Sequence, residues 1–267
     1  MIDKILMDII KEQSKEDDVA VLLSGGIDSI SVALAAHRLG KKLHCYTMFV
    51  DGVENADSKN ALAVAKTFGW PITLIDVPVD NLDKIFITLI EKYKCKKKTQ
   101  LECTFPFLYV YPSIKEKELL SGWAADGWYG VSKKACLHYK KPKSRFDEFR
   151  KEYFAAENPV GIRQQEMLAK EYGIKFIAPY IGDKRVEDYM MQFDWFEMNL
   201  PKQKIKVIEA FPEFKQIKVR KHENLQLASK VPFHFEKLLD DKNINLYNRK
   251  RVMDIVRDWQ KSEDSLF

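Results

Sequence analysis

The chain has 267 residues, enough to bury a substantial core, yet long for one ordinary domain and short for two large ones. Its 44 lysines and arginines exceed its 39 aspartates and glutamates and give a formal net charge of +5, which suits anionic ligands such as nucleotides without requiring a polynucleotide. No apolar run approaches the length of a transmembrane helix, and the first ten residues mix acids with apolar side chains, which excludes a signal peptide.

The first predicted element is an amphipathic helix that precedes a polar connector at residues 14–18. Its apolar residues recur at i, i+3, i+4, i+7 and i+8, and they are Ile2, Ile5, Leu6, Ile9 and Ile10. We expect this helix to cap an edge of a sheet.

A buried strand, a small-residue loop and a helix follow. Val19–Leu23 is an unbroken apolar run, typical of a strand that is covered on both faces. It ends at Ser24, Gly25 and Gly26, and Ile27–Leu39 then has helical composition. Such a loop binds phosphate, because glycines allow close approach, free N–H groups point outward and the helix dipole adds positive charge.

The loop sequence SGGIDS differs from the two commoner glycine-rich loops. GxxxxGK(S/T) requires a lysine that is absent here, and GxGxxG requires a third glycine. Without that lysine, backbone amides and hydroxyls would hold a leaving pyrophosphate, and Asp28 would reach it only through a metal ion.

Strands and helices alternate over the next residues. The apolar patterns predict strands at Leu43–Val50 and Ile72–Val77, a helix around residues 61–68 and a further helix over Leu82–Tyr93. This alternation implies right-handed βαβ units, and therefore an α/β fold with a doubly wound parallel sheet. Ligands of such sheets bind at the carboxyl ends of the strands, where SGGIDS lies.

A second small-residue loop, SGWAADGWYG at Ser121–Gly130, follows the short apolar segment Glu118–Leu120. Its single acid, Asp126, is a natural ligand for Mg²⁺, which takes one or two carboxylates and completes its shell with substrate oxygens and water. The alternative is an ordinary turn or helix-capping aspartate.

Helical patterns dominate from Phe146 onward. We therefore divide the chain into a nucleotide-binding α/β core, residues 1–145, and a helical C-terminal part, residues 146–267, that packs on the core and closes the substrate site. One apolar face of the second part includes Ile205, Ile208 and Phe211.

Basic runs and cysteines leave alternatives open. Tyr93–Lys98 and Lys133–Arg145 are either solvated loops or a surface for phosphate or nucleic acid, but aromatic residues are not interleaved with the lysines. Four irregularly spaced cysteines favour reduced thiols in the cytoplasm. A zinc site can be drawn from Cys95, Cys103, Cys136 and His138, although no CxxC spacing supports it.

Together these stretches resemble the PP-loop ATP pyrophosphatases, and among them the synthetase domain of asparagine synthetase and β-lactam synthetase, over residues 18–240. SGGIDS is similar to the pyrophosphate loop of that family, SGWAADGWYG to its SGEGADELFGG segment, and PYIGD at Pro179–Asp183 to its PFLD element. VRKHENLQ at Val219–Gln226 resembles the late loop that supplies a catalytic lysine, here Lys221.

The resemblance implies an ATP-dependent ligase that forms AMP and pyrophosphate with Mg²⁺ as cofactor. A small-molecule carboxylate, or a nucleobase carbonyl, would attack the α-phosphorus of ATP, and ammonia or an amine would then displace AMP. The implied pyrophosphate-binding residues are Ser24, Gly25, Gly26, Asp28 and Ser29, and Gly122 is a further implied ATP-binding residue. The implied metal ligands are Asp28 and Asp126, and the implied catalytic residues are Lys221 and Asp126.

Two positions depart from the family pattern. The first glutamate of GEGAD, thought to assist the nitrogen nucleophile in the family, is Trp123 here, and the later acid is Gly127. Because the chain begins almost directly with the synthetase part, we expect ammonia to arrive free or from a separate glutaminase subunit.

Two other functions remain as alternatives. A tRNA- or DNA-modifying PP-loop enzyme would use the basic runs as its nucleic-acid footprint. A non-catalytic nucleotide-binding regulator would keep the SGGIDS loop but would not catalyse a reaction. Trp123 and Gly127 favour this alternative.

Overall fold

One sheet of five parallel strands organises the molecule, with the strand order β3–β2–β1–β4–β5. The structure, a computed structural model, describes residues 1–80, 82–95, 98–131, 142–155, 161–219, 231–234 and 237. The strands are β1 (Asp18–Leu22), β2 (Lys42–Val50), β3 (Ile72–Val77), β4 (Glu118–Leu120) and β5 (Lys175–Ile177). The predicted doubly wound α/β fold is therefore confirmed.

Helices cover both faces of this sheet. Within the described ranges they are α1 (Ile2–Gln13), α2 (Ile27–Arg38), α3 (Ala56–Phe68), α4 (Leu82–Glu91), α5 (Lys98–Thr104), α6 (Phe107–Val110), α7 (Asp126–Tyr129), α8 (Lys143–Ala155), α9 (Ile162–Glu171), α10 (Lys184–Met190), α11 (Trp195–Asn199) and α12 (Ile205–Ala210). Short 3₁₀ helices span Tyr111–Ser113 and Pro212–Gln216. None of the described helices is long and apolar enough to cross a membrane.

Side chains of β1 alternate between two hydrophobic layers, as the pleat of a strand requires. Val19 and Val21 point into a layer that contains α1, α2, α3 and α12. Ala20 points into the opposite layer, which is built from α4, α5, α6 and α9. Because both faces are covered, the strand reads as a continuous apolar run in the sequence.

The first helix packs on other helices, in the layer that covers one face of the sheet, rather than at the edge of the sheet. Ile2, Leu6, Ile9 and Ile10 are fully buried, and α1 contacts α2, α10 and α12. The expectation that this helix caps an edge was therefore wrong. A strand edge presents polar N–H and C=O groups, whereas the surface of α2 offers apolar side chains for the stripe of α1 to cover.

The predicted strands and helices of the first ninety residues agree with the structure within a few residues, whereas β5 was not predicted. Both β4 and β5 have only three residues, too few to show an alternating pattern. The division near residue 145 stays a prediction. The described residues beyond it contribute β5 to the sheet and α12 to the layer beside α1 and α2.

A buried glutamate joins the end of α1 to the start of β4. The Glu118 side chain accepts hydrogen bonds from Ser14 Oγ at 2.5 Å and from the backbone N–H groups of Lys15 and Glu16 at 3.0 and 3.3 Å. Burial alone would raise the pKa of Glu118, but these hydrogen bonds outweigh it and hold the pKa below the ordinary value of 4.5.

We expect Glu118→Gln to lower the free energy of unfolding by about 1–3 kcal/mol at pH 7, because an amide presents an N–H group toward backbone N–H donors. The lowered pKa makes the carboxylate's contribution fully present above pH 4.5 and lost as the pH falls through the folded-state value. Urea unfolding at several pH values should show the difference from the unmodified chain shrinking below pH 4.5.

Glu16→Gln is the matched control, because the Glu16 side chain is about half exposed and lies 3.9 Å from Lys117 Nζ. We expect it to change the free energy of unfolding by less than about 1 kcal/mol. Equal effects of the two substitutions would contradict the role of Glu118.

Candidate active site

The strand order creates a crevice between the ends of β1 and β4. From β1 the chain continues to β2 and β3 on one side, whereas β4 lies on the other side of β1 and is followed by β5. Connections that leave neighbouring strands in opposite directions open a crevice at their carboxyl ends, and ligands of open α/β sheets bind there. Both small-residue loops identified in the sequence follow these two strands.

The first loop, residues 24–26, is held by its own hydroxyl groups. Ser29 Oγ donates to the Gly26 carbonyl at 3.0 Å and accepts from the Ser24 N–H at 3.2 Å. Asn60 Nδ2, from α3, donates to the Gly25 carbonyl at 2.5 Å. Ser24 is exposed and Ser29 is buried, and the Ser24 hydroxyl lies 3.2 Å from that of Ser29 and accepts from the Gly26 N–H at 3.3 Å.

The second loop approaches the first so closely that only glycine fits at its contact point. A Cβ atom on Gly122 would lie 2.6 Å from the carbonyl carbon of Asp28, 2.7 Å from its oxygen and 2.8 Å from the backbone nitrogen of Ser29. These atoms belong to the first turn of α2, whose backbone cannot move aside cheaply. The backbone of the second loop therefore packs directly on the helix that starts at the first loop.

Tyr180, in the PYIGD segment, ties the two loops together. Its hydroxyl lies 2.7 Å from Ser31 Oγ on α2, and Ser31 in turn donates to the carbonyl oxygen of Asp28 at 2.8 Å. Its carbonyl accepts from Trp128 Nε1 on α7 at 2.8 Å. The segment thus fixes α2 and α7 relative to each other.

Two carboxylates meet at the crevice, with a lysine between them. Lys204 Nζ lies 2.6 Å from Asp28 Oδ2 and 2.6 Å from Asp126 Oδ1. The lysine side chain is 3% exposed, that of Asp28 15% and that of Asp126 32%, so the cluster opens to solvent on the Asp126 side. The structure therefore brings Asp28 and Asp126 together, as the predicted metal site requires.

The electrostatics of this cluster follow from burial. Burial raises the pKa of Asp28 to about 7, and the nearby Asp126 charge adds to this, although Lys204 acts in the opposite direction. Burial alone would lower the pKa of Lys204, but the two carboxylates outweigh it and hold the pKa above its ordinary value. Lys204 is therefore a buried ammonium ion that is stabilised by both aspartates.

Lys204 is positioned by the turn that joins α11 to α12. It adopts the left-handed conformation with φ 59°, and its N–H donates to Asn199 Oδ1 at 3.3 Å. Asn199 Nδ2 donates to the carbonyl of Tyr129 at 2.8 Å, which fastens the turn to α7. The ring of Tyr129 lies with its centroid 5.0 Å from Lys204 Nζ, within reach of a cation–π interaction.

The sequence did not indicate Lys204. The predicted apolar face used Ile205, Ile208 and Phe211, but Val207 and Phe211 are the deeply buried members and Ile205 is only partly buried. Counting back three residues from Val207 places position 204 on the same face. A lysine on the buried face of a short helix was the available signal.

The pair of aspartates can accommodate Mg²⁺. Both carboxylates reach one common point, which shows that a single cation can contact both of them at once. Asp28 Oδ1 is buried and has no hydrogen-bond partner among the described residues, so this carboxylate keeps unused ligand capacity. Two carboxylates with an opening toward solvent suit a metal ion that also binds substrate oxygens.

Neighbouring side chains surround Trp123 and Gly127, the two positions that depart from the family pattern. A Cβ atom on Gly127 would lie 2.4 Å from Tyr153 Cε1, so α8 occupies the space that an acid would need. Trp123 packs edge-to-face on Phe107 with ring centroids 5.4 Å apart. The side of the second loop that faces α5 and α6 is thus aromatic rather than acidic.

Other predicted features lie partly or wholly outside the described residues. Lys221 is among these, and so are Cys136 and His138 of the alternative zinc set and most of the second basic run. Cys45, Cys95 and Cys103 are buried free thiols. The roles assigned to Ser24, Gly25, Gly26, Asp28, Ser29, Gly122, Asp126 and Lys221 stay predictions.

The parallel sheet, the SGGIDS loop at its crevice and the paired carboxylates define a PP-loop nucleotide-binding domain. A family model described as asparagine synthase matches residues 1–257. The chain therefore belongs to the asparagine synthase family.

Three proteins illustrate the wider similarity. A glutamine-hydrolyzing GMP synthase from Actinobacillus pleuropneumoniae serotype 5b is 34% identical over 122 residues, which are 44% of this chain and 22% of that protein. The match thus spans about a fifth of the length of that relative. The NH3-dependent NAD synthetase from Campylobacter jejuni subsp. jejuni NCTC 11168 superposes with a TM-score of 0.34 and 17% identity, covering 75% of this chain and 94% of that chain.

The third is a predicted subunit of tRNA methyltransferase from Methanocaldococcus jannaschii. It superposes with a TM-score of 0.38 and 18% identity, covering 66% of this chain and 74% of that chain. The family assignment rests on the family model.

We expect Gly122→Ala to lower the free energy of unfolding by about 1–3 kcal/mol, because the added methyl group would overlap the backbone of α2. It should also weaken ATP binding, since it separates the two loops. Thermal unfolding and calorimetric titration with a non-hydrolysable ATP analogue measure both effects.

Gly26→Ala is the matched control for stability, because a Cβ atom there would meet only the flexible Ser24 side chain, at 3.3 Å. We expect its effect on unfolding to be under about 1 kcal/mol. A Gly122→Ala chain as stable as the Gly26→Ala chain would contradict the close approach.

Proposed function

We propose that this protein is an ATP-dependent ligase that forms AMP and pyrophosphate and joins a carboxylate or carbonyl substrate to ammonia or an amine. Membership of the asparagine synthase family supports an ATP-dependent amidating ligase in general. The AMP-forming step, the cofactor and the roles of individual residues are our proposal. We further propose that it works in the cytoplasm and takes its ammonia free or from a separate glutaminase subunit.

One observation carries this proposal: Asp28 and Asp126 converge on one cation, the Lys204 ammonium group, at the carboxyl ends of β1 and β4. The first belongs to the helix that follows the pyrophosphate loop, and the second to the loop after β4. A nucleotide that lies in this crevice would place its phosphates between the free N–H groups at the start of α2 and the two carboxylates.

Separate groups of residues would bind the pyrophosphate and the metal ion. The backbone amides of Gly25 and Gly26 and the hydroxyl of Ser24 bind the departing pyrophosphate. Asp28 and Asp126 would hold Mg²⁺, which would polarise the α-phosphate and neutralise charge on the leaving group. Charge that builds up on pyrophosphate is thus stabilised by groups that are already in place before the reaction.

Lys221 would act in the second half-reaction. When the nitrogen nucleophile attacks the adenylated carbon, negative charge develops on the substrate oxygen, and a lysine above that carbon stabilises the charge. The resemblance of residues 219–226 to the late loop of the family supports this assignment.

We expect ATP turnover to release AMP and pyrophosphate rather than ADP, because SGGIDS lacks the lysine that manages a γ-phosphoryl transfer. The chain is incubated with Mg²⁺, ammonium and a metabolite extract, and labelled nucleotide products are separated by chromatography. ADP as the main product would contradict the proposal. ATP binding without any product would favour the alternative of a non-catalytic nucleotide-binding regulator.

Asp126→Asn serves as the matched variant in this assay, since it removes a metal ligand's charge at nearly constant volume. We expect it to slow AMP formation at least about tenfold.

We expect Lys221→Met to retain ATP binding and substrate-dependent pyrophosphate exchange while slowing final product formation by roughly a hundredfold or more, the scale of losing one preorganised electrostatic group. Exchange and product formation are measured on the same preparation. Lys218→Met is the neighbouring lysine control and should leave both rates unchanged. Product formation by Lys221→Met at the parental rate would show that this lysine is a surface charge.

A further inference from the structure

We propose that Lys204 is an internal cation that occupies the place of the divalent metal in the nucleotide-free chain and withdraws when metal and nucleotide bind together. This inference rests on the proposed function, because that function places Mg²⁺ between the same two carboxylates. It assigns Lys204 a positioning role that controls when the metal can enter.

The geometry of the ammonium group is the first argument. Lys204 Nζ contacts Asp28 Oδ2 and Asp126 Oδ1 at 2.6 Å each, so it lies at the common point of the two carboxylates. A divalent ion held by both aspartates would use that same point. The lysine side chain is 3% exposed, so the protein encloses the ammonium group at that point.

The charge of the cluster is the second argument. Even with both carboxylates ionised, the two carboxylates and one ammonium sum to a single negative charge, so the cluster has little attraction left for a divalent ion while Lys204 stays in place. An ammonium and a divalent ion a few ångströms apart also repel each other strongly in a partly buried site. Metal binding therefore requires Lys204 to move.

The carboxylates retain the capacity to bind a metal once the lysine leaves. Asp28 Oδ1 is buried without a hydrogen-bond partner among the described residues. Lysine holds a carboxylate as a compact point charge and leaves the second oxygen unpaired, whereas a metal ion and its water ligands can satisfy both.

Contacts to its backbone hold Lys204 at the turn, whereas its charge lies at the end of a flexible side chain. The bond from its N–H to Asn199 Oδ1 and the left-handed conformation fix the turn at φ 59°. The four-carbon stem can then carry the ammonium toward a phosphate group in the crevice. The phosphates of the nucleotide would then replace the two carboxylates as the negative partners of the Lys204 ammonium group.

Lys204→Met tests the inference without turnover. We expect the variant to bind Mn²⁺ in the absence of nucleotide at least about tenfold more tightly than the unmodified chain, because the competing charge is gone. Calorimetric titration with MnCl2 measures this affinity. In EDTA the variant should melt below the unmodified chain, since both aspartates lose the ammonium group that pairs with them, and Mg²⁺ should restore much of the difference.

Two controls define the effect. Lys206→Met removes a partly exposed lysine of α12 whose Nζ lies 3.6 Å from Glu209, and it should leave Mn²⁺ affinity unchanged. Adding Asp126→Asn to Lys204→Met should abolish the gain. Should Lys204→Met fail to fold, Lys204→Gln replaces it, because the amide still donates a hydrogen bond to a carboxylate.

Equal Mn²⁺ affinity in the unmodified chain and in the folded Lys204 variant would overturn the inference. This readout contains no ATP, so it fails separately from the proposed function. A chain that shows the Mn²⁺ gain but forms no AMP would lose the ligase assignment and keep the role of Lys204. AMP formation with unchanged Mn²⁺ affinity would keep the ligase assignment and exclude the proposed role of Lys204.

Discussion

The rest of the site depends on a charge balance at the junction of β1 and β4. The sheet order brings two aspartates together where their repulsion is only weakly screened, and a lysine from a distant turn neutralises them in part. A buried group of this kind contributes less to stability than its short distances suggest, because all three groups lose hydration. Its value lies in fixing positions: α2, α7 and the turn before α12 meet at one point.

Backbone packing supplies the precision that charges alone do not. The absence of a side chain at Gly122 lets the second loop touch the first turn of α2, and Tyr180 binds both α2 and α7. These contacts do not involve the carboxylate oxygens, so the aspartates stay available to ligands. The site is therefore held by backbone and side-chain contacts around it, and it is most open to solvent at Asp126, the more exposed carboxylate.

The sequence predicted the fold more completely than the site. Local patterns were sufficient for β1 to β3, because each strand is an apolar run followed by a helix with its own period. The three-residue strand β5 is too short for such a pattern, and its place at the edge of the sheet depends on pairing with β4. Asp28 and Asp126 were found because small residues surround each of them at the end of a strand.

Lys204 could not be found in that way, since no motif surrounds it. Its importance comes from two partners that lie 176 and 78 residues away, and a sequence read along the chain does not show such a meeting. The apolar pattern of α12 indicated a buried face, but the predicted face was displaced by one residue from the observed one. It therefore did not include position 204. Sequence patterns describe which face of an element is buried far better than which elements that face will meet.

The late position of Lys204 in the chain also has a consequence for biosynthesis. During translation both aspartates leave the ribosome long before the lysine that balances them has been made, so the nascent α/β part carries an uncompensated pair of carboxylates. Domains tend to fold as units from the N-terminus, and contacts between distant residues form slowly. The crevice thus completes its own charge only when residues beyond α11 have been synthesised, at a stage when most of the chain exists.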